Sequence, residues 1–72
     1  MDNQILDIMR RVFQSENIDE NTSQLNCENW DSLHHLDLIV ELEDAFNTEF
    51  EPEEIAEMTD FAKVKDMIQS KL

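Results

Sequence analysis

Apolar side chains recur every three or four residues in the first part of the chain. Between Asp2 and about Ser15 this spacing places one apolar face on a helix, which predicts an amphipathic first helix. The residues of that face are Ile5, Leu6, Ile8, Met9, Val12 and Phe13. The periodicity stops from Glu16 to Asp31, where Asn, Asp, Ser and Glu dominate. We predict a long loop there, anchored to a core by Ile18, Leu25 and Trp30.

Helical spacing returns at Ser32 and continues to about Asn47. Asp31 or Ser32 is suited to be the N-cap, because a short oxygen-bearing side chain can accept hydrogen bonds from the first turn of a helix. The chain has no glycine, so Asn47 is expected to adopt the left-handed conformation that ends many helices. The pattern therefore predicts a second long helix.

Two further helices are predicted in the C-terminal third. Pro52 fits the first position of a helix and acidic residues follow it, which indicates a short third helix. Thr59 or Asp60 can cap the last helix. The apolar face of that helix consists of Phe61, Val64, Met67, Ile68 and Leu72. No strand pattern or repeat is present, so we predict an all-α fold: a single domain, residues 1–72, with three longer helices, one short third helix and a long first loop.

The apolar residues of the second helix fall into two groups on a helical wheel. The broad stripe that would face the core consists of Leu38, Ile39, Leu42, Ala45 and Phe46. Leu33, Val40 and, at the margin, Leu36 point roughly the other way, among carboxylates. Charges can orient a basic partner while exposed apolar residues supply contact area, so this outer face is a candidate docking surface. Scattered exposed apolar residues are also normal, and the pattern alone leaves both interpretations open.

The charge of the chain is strongly one-sided. Five Lys and Arg residues stand against 18 Asp and Glu, giving a formal charge of −13, and no basic residue occurs between Val12 and Ala62. Such a surface repels nucleic acid phosphates and anionic membranes, and it attracts basic patches on other proteins. We therefore expect a protein partner and neither nucleic acid nor membrane. The alternative is that the charge serves only solubility.

Cys27 is the only cysteine, so no internal disulfide can form. No secretory signal and no apolar run of spanning length is visible, and we expect a cytoplasmic protein. The acidic and polar neighbours of Cys27 favour the neutral thiol, which predicts a partly buried, unreactive side chain.

Ser32 stands at the predicted start of the second helix. A nucleophilic serine needs a base and an oxyanion hole, and the glycine-containing elbow of hydrolases cannot occur in a chain without glycine. We therefore expect no catalytic residue. A helix N-terminus can accommodate a phosphate, because its free N–H groups and its dipole favour negative charge. The position is thus consistent with a modified serine or with a simple N-cap.

Two adjacent histidines follow Ser32. Neighbouring positions on a helix diverge by about 100°, so His34 and His35 do not form the paired arrangement of a metal site. His35 is expected at the open end of the core, and His34 in solvent near Asp37 and Glu41.

The segment Asp31-Ser32-Leu33, followed by HHLDLIVELEDAFNTEFEPEEI, resembles the acyl carrier proteins. In that family a D-S-L motif opens the second of four helices and precedes an E-L-x-x-x-L-E-E-x-F run, which here includes Leu42-Glu43-Asp44-Ala45-Phe46. The resemblance covers the length, helix order and charge of the whole chain. Asn29-Trp30 replaces the family's small residues before the motif. Trp30 and His34-His35 are more similar to carriers of specialised pathways than to the carrier of fatty acid synthesis.

The resemblance implies that Ser32 carries 4′-phosphopantetheine, attached by a phosphopantetheinyl transferase. The thiol of that arm would hold acyl or aminoacyl groups as thioesters for enzymes of fatty acid, polyketide or specialised biosynthesis. The chain itself would be a monomer without enzymatic activity, and its partners would have basic docking surfaces. The implied partner-binding residues are Asp31, Leu33, Asp37, Val40, Glu43 and Asp44. The alternative is an acidic helical interaction module that uses Ser32 as a cap and has no prosthetic group.

Overall fold

A computed structural model describes all 72 residues and contains four helices. They are α1 (Asp2–Phe13), α2 (Ser32–Phe46), α3 (Pro52–Glu57) and α4 (Phe61–Lys71). Three helices are long and α3 has six residues, so the predicted all-α architecture is confirmed. None of the four helices combines the length and the apolar character that crossing a membrane requires.

One core of 15 buried apolar residues holds the helices together. The helix α1 contributes Ile5, Leu6, Ile8, Met9 and Phe13; α2 contributes Leu38, Ile39 and Leu42; α4 contributes Phe61, Val64 and Ile68; the connecting segments contribute Ile18, Trp30, Phe50 and Met58. Burying a large apolar side chain contributes about 1.5–3 kcal/mol, which makes this core the main stabilising feature.

The helix ends follow the signals in the sequence. Asp31 is the N-cap of α2, and its side chain accepts a hydrogen bond from the His34 N–H. Asn47 ends α2 in the left-handed conformation, with φ 51 and ψ 52. Gln14 ends α1 in the same conformation at φ 53, so α1 stops two residues before the predicted Ser15. Asp60 caps α4 by accepting from the Lys63 N–H.

The long loop is fastened to the start of α4. The Phe61 N–H donates to the Thr22 carbonyl over 2.9 Å, and the Gln24 N–H donates to the Thr59 carbonyl over 3.0 Å. Ile18 and Trp30 are buried, as predicted. Cys27 is half-buried against the core, which also agrees with the prediction.

Three residues predicted for the apolar faces or loop anchors are exposed instead. Leu25 is 99% exposed, because it lies at the tip of a turn that closes through the Asn26 N–H and the Ser23 carbonyl. Leu72 lies beyond the end of α4 and is exposed. Ala45 is exposed in the last turn of α2, at the edge of the apolar stripe. The wheel gives a direction for each side chain but not whether another part of the chain covers it.

The short helix α3 has no fully buried residue; its Ile55 is partly buried against the core, and polar contacts add to this. Glu51 is the N-cap of α3 and Pro52 is its first residue. The side chains of Glu51 and Glu54 form a capping box at this end. The Lys71 ammonium lies 2.7 Å from the Glu54 carboxylate and joins α3 to α4. The ion pair thus holds α3 against the end of α4.

Candidate functional site

Ser32 is the first residue of α2 and is exposed. Asp31 supplies the capping oxygen, so the Ser32 hydroxyl is not needed as the cap. The Asp31 carbonyl accepts from the His35 N–H over 2.8 Å, and the Asp31 carboxylate accepts from the His34 N–H over 2.9 Å. The first N–H groups of a helix have no carbonyl acceptor within the helix, and the N–H groups of Ser32 and Leu33 belong to this set. An anion bound at the Ser32 oxygen would meet these N–H groups.

Asp31 keeps a negative charge next to Ser32. The backbone N–H of His34 and, after it, the side chain of His34 lower the pKa of the Asp31 carboxyl below its ordinary value of 3.8. The His34 Nδ1 atom lies 2.8 Å from Oδ1 of Asp31 and must donate, since a carboxylate only accepts. The hydrogen-bond partner of the His34 ring is therefore Asp31, which the helical wheel did not indicate.

The His35 ring in α2 is hydrogen-bonded to the loop before α2 and to α3. The Trp30 Nε1–H donates to the His35 Nδ1 atom over 2.9 Å, and the His35 Nε2 atom lies 2.8 Å from the Ile55 carbonyl oxygen. A tryptophan N–H can only donate, so Nδ1 accepts and Nε2 carries the proton that is donated to Ile55. Trp30 also stacks on Phe13, with ring centroids 4.8 Å apart. We call this set the Trp30–His35–Ile55 bridge.

An open groove of about 400 Å³ lies beside Ser32. Its lining residues are Gln24, Trp30, Asp31, Ser32, His35 and Leu36. We call it the Ser32 groove. The loop before α2 and the first turn of α2 form its walls, so a group attached to the Ser32 oxygen starts inside it.

The outer face of α2 exposes apolar side chains between carboxylates. Leu33 is 75% exposed and Val40 is 61% exposed. Asp37 and Asp44 are exposed as well. Glu43 differs from these residues, because it is half-buried and its Oε2 atom accepts from the Phe50 N–H over 3.0 Å. Its carboxylate thus holds the segment after α2 in place.

A positive charge lies beside this outer face, and no pattern in the sequence indicates it. The Arg11 Nη2 atom lies 2.7 Å from Oε1 of Glu41, although the two residues are 30 positions apart. A groove of about 330 Å³ runs between α1 and α2 here, lined also by Val12, Asp37 and Val40. The packing of α1 on α2 creates this contact, and no spacing rule within one helix could reveal it.

The fold is similar to that of a solved carrier protein. No family model and no curated protein matches the sequence. Among solved structures, the holo acyl carrier protein from Geobacter metallireducens, determined in solution by NMR, matches with a TM-score of 0.86 and 29% identity. The match covers 97% of this chain and 83% of that protein.

By this match the chain has the fold of an acyl carrier protein, which is a carrier fold and not an enzyme fold. The resemblance to acyl carrier proteins indicated by Asp31-Ser32-Leu33 is confirmed.

Proposed function

We propose that this protein is an acyl carrier protein in which Ser32 carries 4′-phosphopantetheine. The observation that supports the proposal best is the position of Ser32, exposed at the first residue of α2 in a fold similar to that of a holo acyl carrier protein. The arm would supply a thiol that holds acyl or aminoacyl groups as thioesters. The pathway would be fatty acid, polyketide or specialised biosynthesis in the cytoplasm.

The residues around Ser32 fit the phosphate of such an arm. The Ser32 oxygen would form the bond to phosphorus. The N-terminus of α2, whose first N–H groups have no acceptor within the helix, and the helix dipole would stabilise the negative charge. The cap made by Asp31 fixes the first turn. The Trp30–His35–Ile55 bridge connects that turn to the preceding loop and to α3. The protein would hold and present the arm without catalysing a reaction.

The outer face of α2 would bind the transferase and the enzymes that load and process the acyl group. Leu33 and Val40 offer apolar contact area, while the carboxylates of Asp37 and Asp44 offer charge. A partner with a basic patch around a small apolar centre fits this surface. Asp31 and Glu43 would contribute charge at its two ends.

Intact mass after co-expression with a promiscuous phosphopantetheinyl transferase tests the attachment. The expected result is a gain of one phosphopantetheine group in the wild type and in Ser70→Ala, a control on the exposed surface of α4. Ser32→Ala should show no gain. If the wild type gains nothing while a known carrier in the same cells is modified, the alternative of an acidic interaction module without a prosthetic group replaces this proposal.

A further inference from the structure

A charged side chain of α1 borders the outer face of α2. The Arg11 side chain is 65% exposed, and its guanidinium makes one hydrogen bond within the chain, to Glu41. A guanidinium has several N–H donors, so most of the Arg11 donors have no partner in the protein. Asp37 is also exposed and makes no ion pair. An exposed cation and an unpaired carboxylate therefore border the same groove between α1 and α2.

This groove, which we call the α1–α2 groove, also has an apolar part. Val12 of α1 and Val40 of α2 both line it, and its volume is about 330 Å³. Val40 is 61% exposed, and Val12 is partly buried against the core. The volume is about that of ten water molecules, which is room for a leucine-sized side chain. An apolar side chain from another molecule would remove both valines from water.

Charge decides which kind of molecule can supply that side chain. A second copy of this chain has the same formal charge of −13 and would be repelled. An anionic membrane surface would be repelled for the same reason. A protein with a positive group opposite Asp37 would be attracted, because no basic residue of this chain pairs with that carboxylate. A positive group beside Arg11 would be repelled.

We propose that the α1–α2 groove belongs to the docking surface of this protein and that Arg11 determines which partners fit it. The occupant is an aliphatic side chain of a partner protein, which lies between Val12 and Val40 with a basic residue on the Asp37 side. The partner has no positive charge beside Arg11. Asp37 lies about one helical turn before Glu41, so the basic part of the partner faces the end of α2 that begins with Ser32. This inference rests on the proposed function and specifies its partners.

The methyl groups of valine offer a direct test. The chain has three valines: Val12 and Val40 line the groove, whereas Val64 is fully buried in α4. The variant Ser32→Ala, isotope-labelled at its valine methyls, would be titrated with a phosphopantetheinyl transferase and followed by NMR, so that the two proteins bind without reacting. We expect the signals of Val12 and Val40 to shift as transferase is added, and those of Val64 to stay in place.

The absence of a shift at Val12 would overturn the inference, and a shift at Val40 alone would mean that the partner contacts only α2. Shifts that depend on the concentration of the carrier without transferase would identify a second copy as the occupant and would overturn it as well. None of these results changes the proposed function, which depends on the mass of the modified wild type. A wild type that gains no mass with a competent transferase overturns the proposed function instead.

Replacement of Arg11 tests its role in specificity. Arg11→Gln removes the positive charge and leaves Glu41 unpaired, so a transferase with a basic docking surface should associate faster. We expect kcat/KM for phosphopantetheinylation to rise about threefold, as for an exposed charge pair, through a lower KM with kcat unchanged. Lys63→Gln is the matched control, because it removes the same charge from an exposed position on α4, outside the groove.

The control and the conservative variant separate the local charge of Arg11 from other effects. Lys63→Gln and Arg11→Lys should both react like the wild type, the first because the groove is unchanged and the second because the positive charge remains. An Arg11→Gln rate no higher than that of Lys63→Gln would overturn the role given to Arg11. So would an Arg11→Lys variant as fast as Arg11→Gln, since the charge would then not be the cause.

Discussion

At the scale of single residues, the first turn of α2 depends on Asp31. Its carboxylate accepts the backbone N–H of His34 and contacts the His34 ring, so one side chain both caps the helix and holds an imidazole. The neighbouring His35 has a different task, because its two ring nitrogens connect Trp30 to Ile55. His34 thus makes its contacts at the surface and His35 toward the interior, because neighbouring side chains point about 100° apart on a helix.

Replacing Asp31 should destabilise the protein in a pH-dependent way. The His34 N–H holds the pKa of Asp31 below 3.8 in the folded state, so the stabilisation is complete above that pH and is lost as the pH falls through the lowered value. We expect Asp31→Ala to have a lower Tm than the wild type at neutral pH, with the difference disappearing in strong acid. Thermal unfolding followed by circular dichroism measures this.

Asp31→Asn is the matched control, because asparagine caps helices well without a charge. Its Tm at neutral pH should lie between those of the wild type and Asp31→Ala. If Asp31→Ala and the wild type differ equally at neutral and strongly acid pH, the carboxylate is not the stabilising group.

At the scale of helices, α3 is the only one of the four without a fully buried residue. Ile55 is partly buried against the core, and the other contacts are the capping box, the Glu54–Lys71 ion pair and the His35 hydrogen bond to the Ile55 carbonyl. The backbone N–H of Glu51 and, after it, Lys71 lower the pKa of Glu54 below 4.5. Elements with few buried apolar contacts open locally before the whole protein unfolds.

Hydrogen exchange should therefore be fastest in α3 among the four helices. We expect Lys71→Ala to speed exchange in α3 further and to leave the amides of α1 nearly unchanged, since the ion pair with Glu54 is confined to α3 and α4. Lys63→Ala is the control, being an exposed lysine on α4 with no ion pair to an acidic residue. Exchange by NMR or mass spectrometry resolves the helices, and uniform exchange across all four would contradict the local opening of α3.

The local parts of this fold could be predicted from the sequence, whereas contacts between distant segments could not. Asp31, Asn47 and Pro52 mark helix ends because each acts within a few residues of its own position. The Arg11–Glu41 pair and the His35–Ile55 hydrogen bond depend on how helices pack. Leu25 illustrates the same limit in the loop, where an apolar side chain could equally well face the core or the solvent. For the site, the position of Ser32 was predictable but the Ser32 groove was not.

At the scale of the whole molecule, charge is the dominant property. Four of the five basic residues are already in ion pairs with carboxylates: Arg10, Arg11, Lys65 and Lys71. With 18 acidic residues in 72, most carboxylates have no basic partner. Mutual repulsion then opposes the compact state, and the same charge attracts basic proteins over a distance set by the ionic strength.

Salt should stabilise the protein. We expect the Tm at neutral pH to rise on adding millimolar magnesium or calcium, by about 4 °C or more if the gain is about 1 kcal/mol. Monovalent salt at higher concentration should reproduce much of the rise, because the effect is screening rather than a specific site. A Tm that is insensitive to both salts would show that repulsion among the carboxylates is unimportant.

Reversing charge on the outer face of α2 should slow modification of Ser32. Asp37→Lys and Asp44→Lys place a positive charge on exposed positions, and each is expected to reduce the rate of phosphopantetheinylation about tenfold, mainly through slower association. Added salt should slow the wild type similarly. Asp66→Lys on α4 is the control and should react like the wild type. Equal rates in all these variants would mean that partners bind elsewhere.

Trp30 is buried and lines the same groove as Ser32, so its fluorescence should respond to what is attached there. Trp30 is the only tryptophan, and the chain has no tyrosine, so its ultraviolet fluorescence comes almost entirely from one indole. That indole lines the Ser32 groove and donates its N–H to His35. We expect attachment of an arm at Ser32 to change the emission in the wild type and not in Ser32→Ala, so that the reaction can be followed in real time without a label.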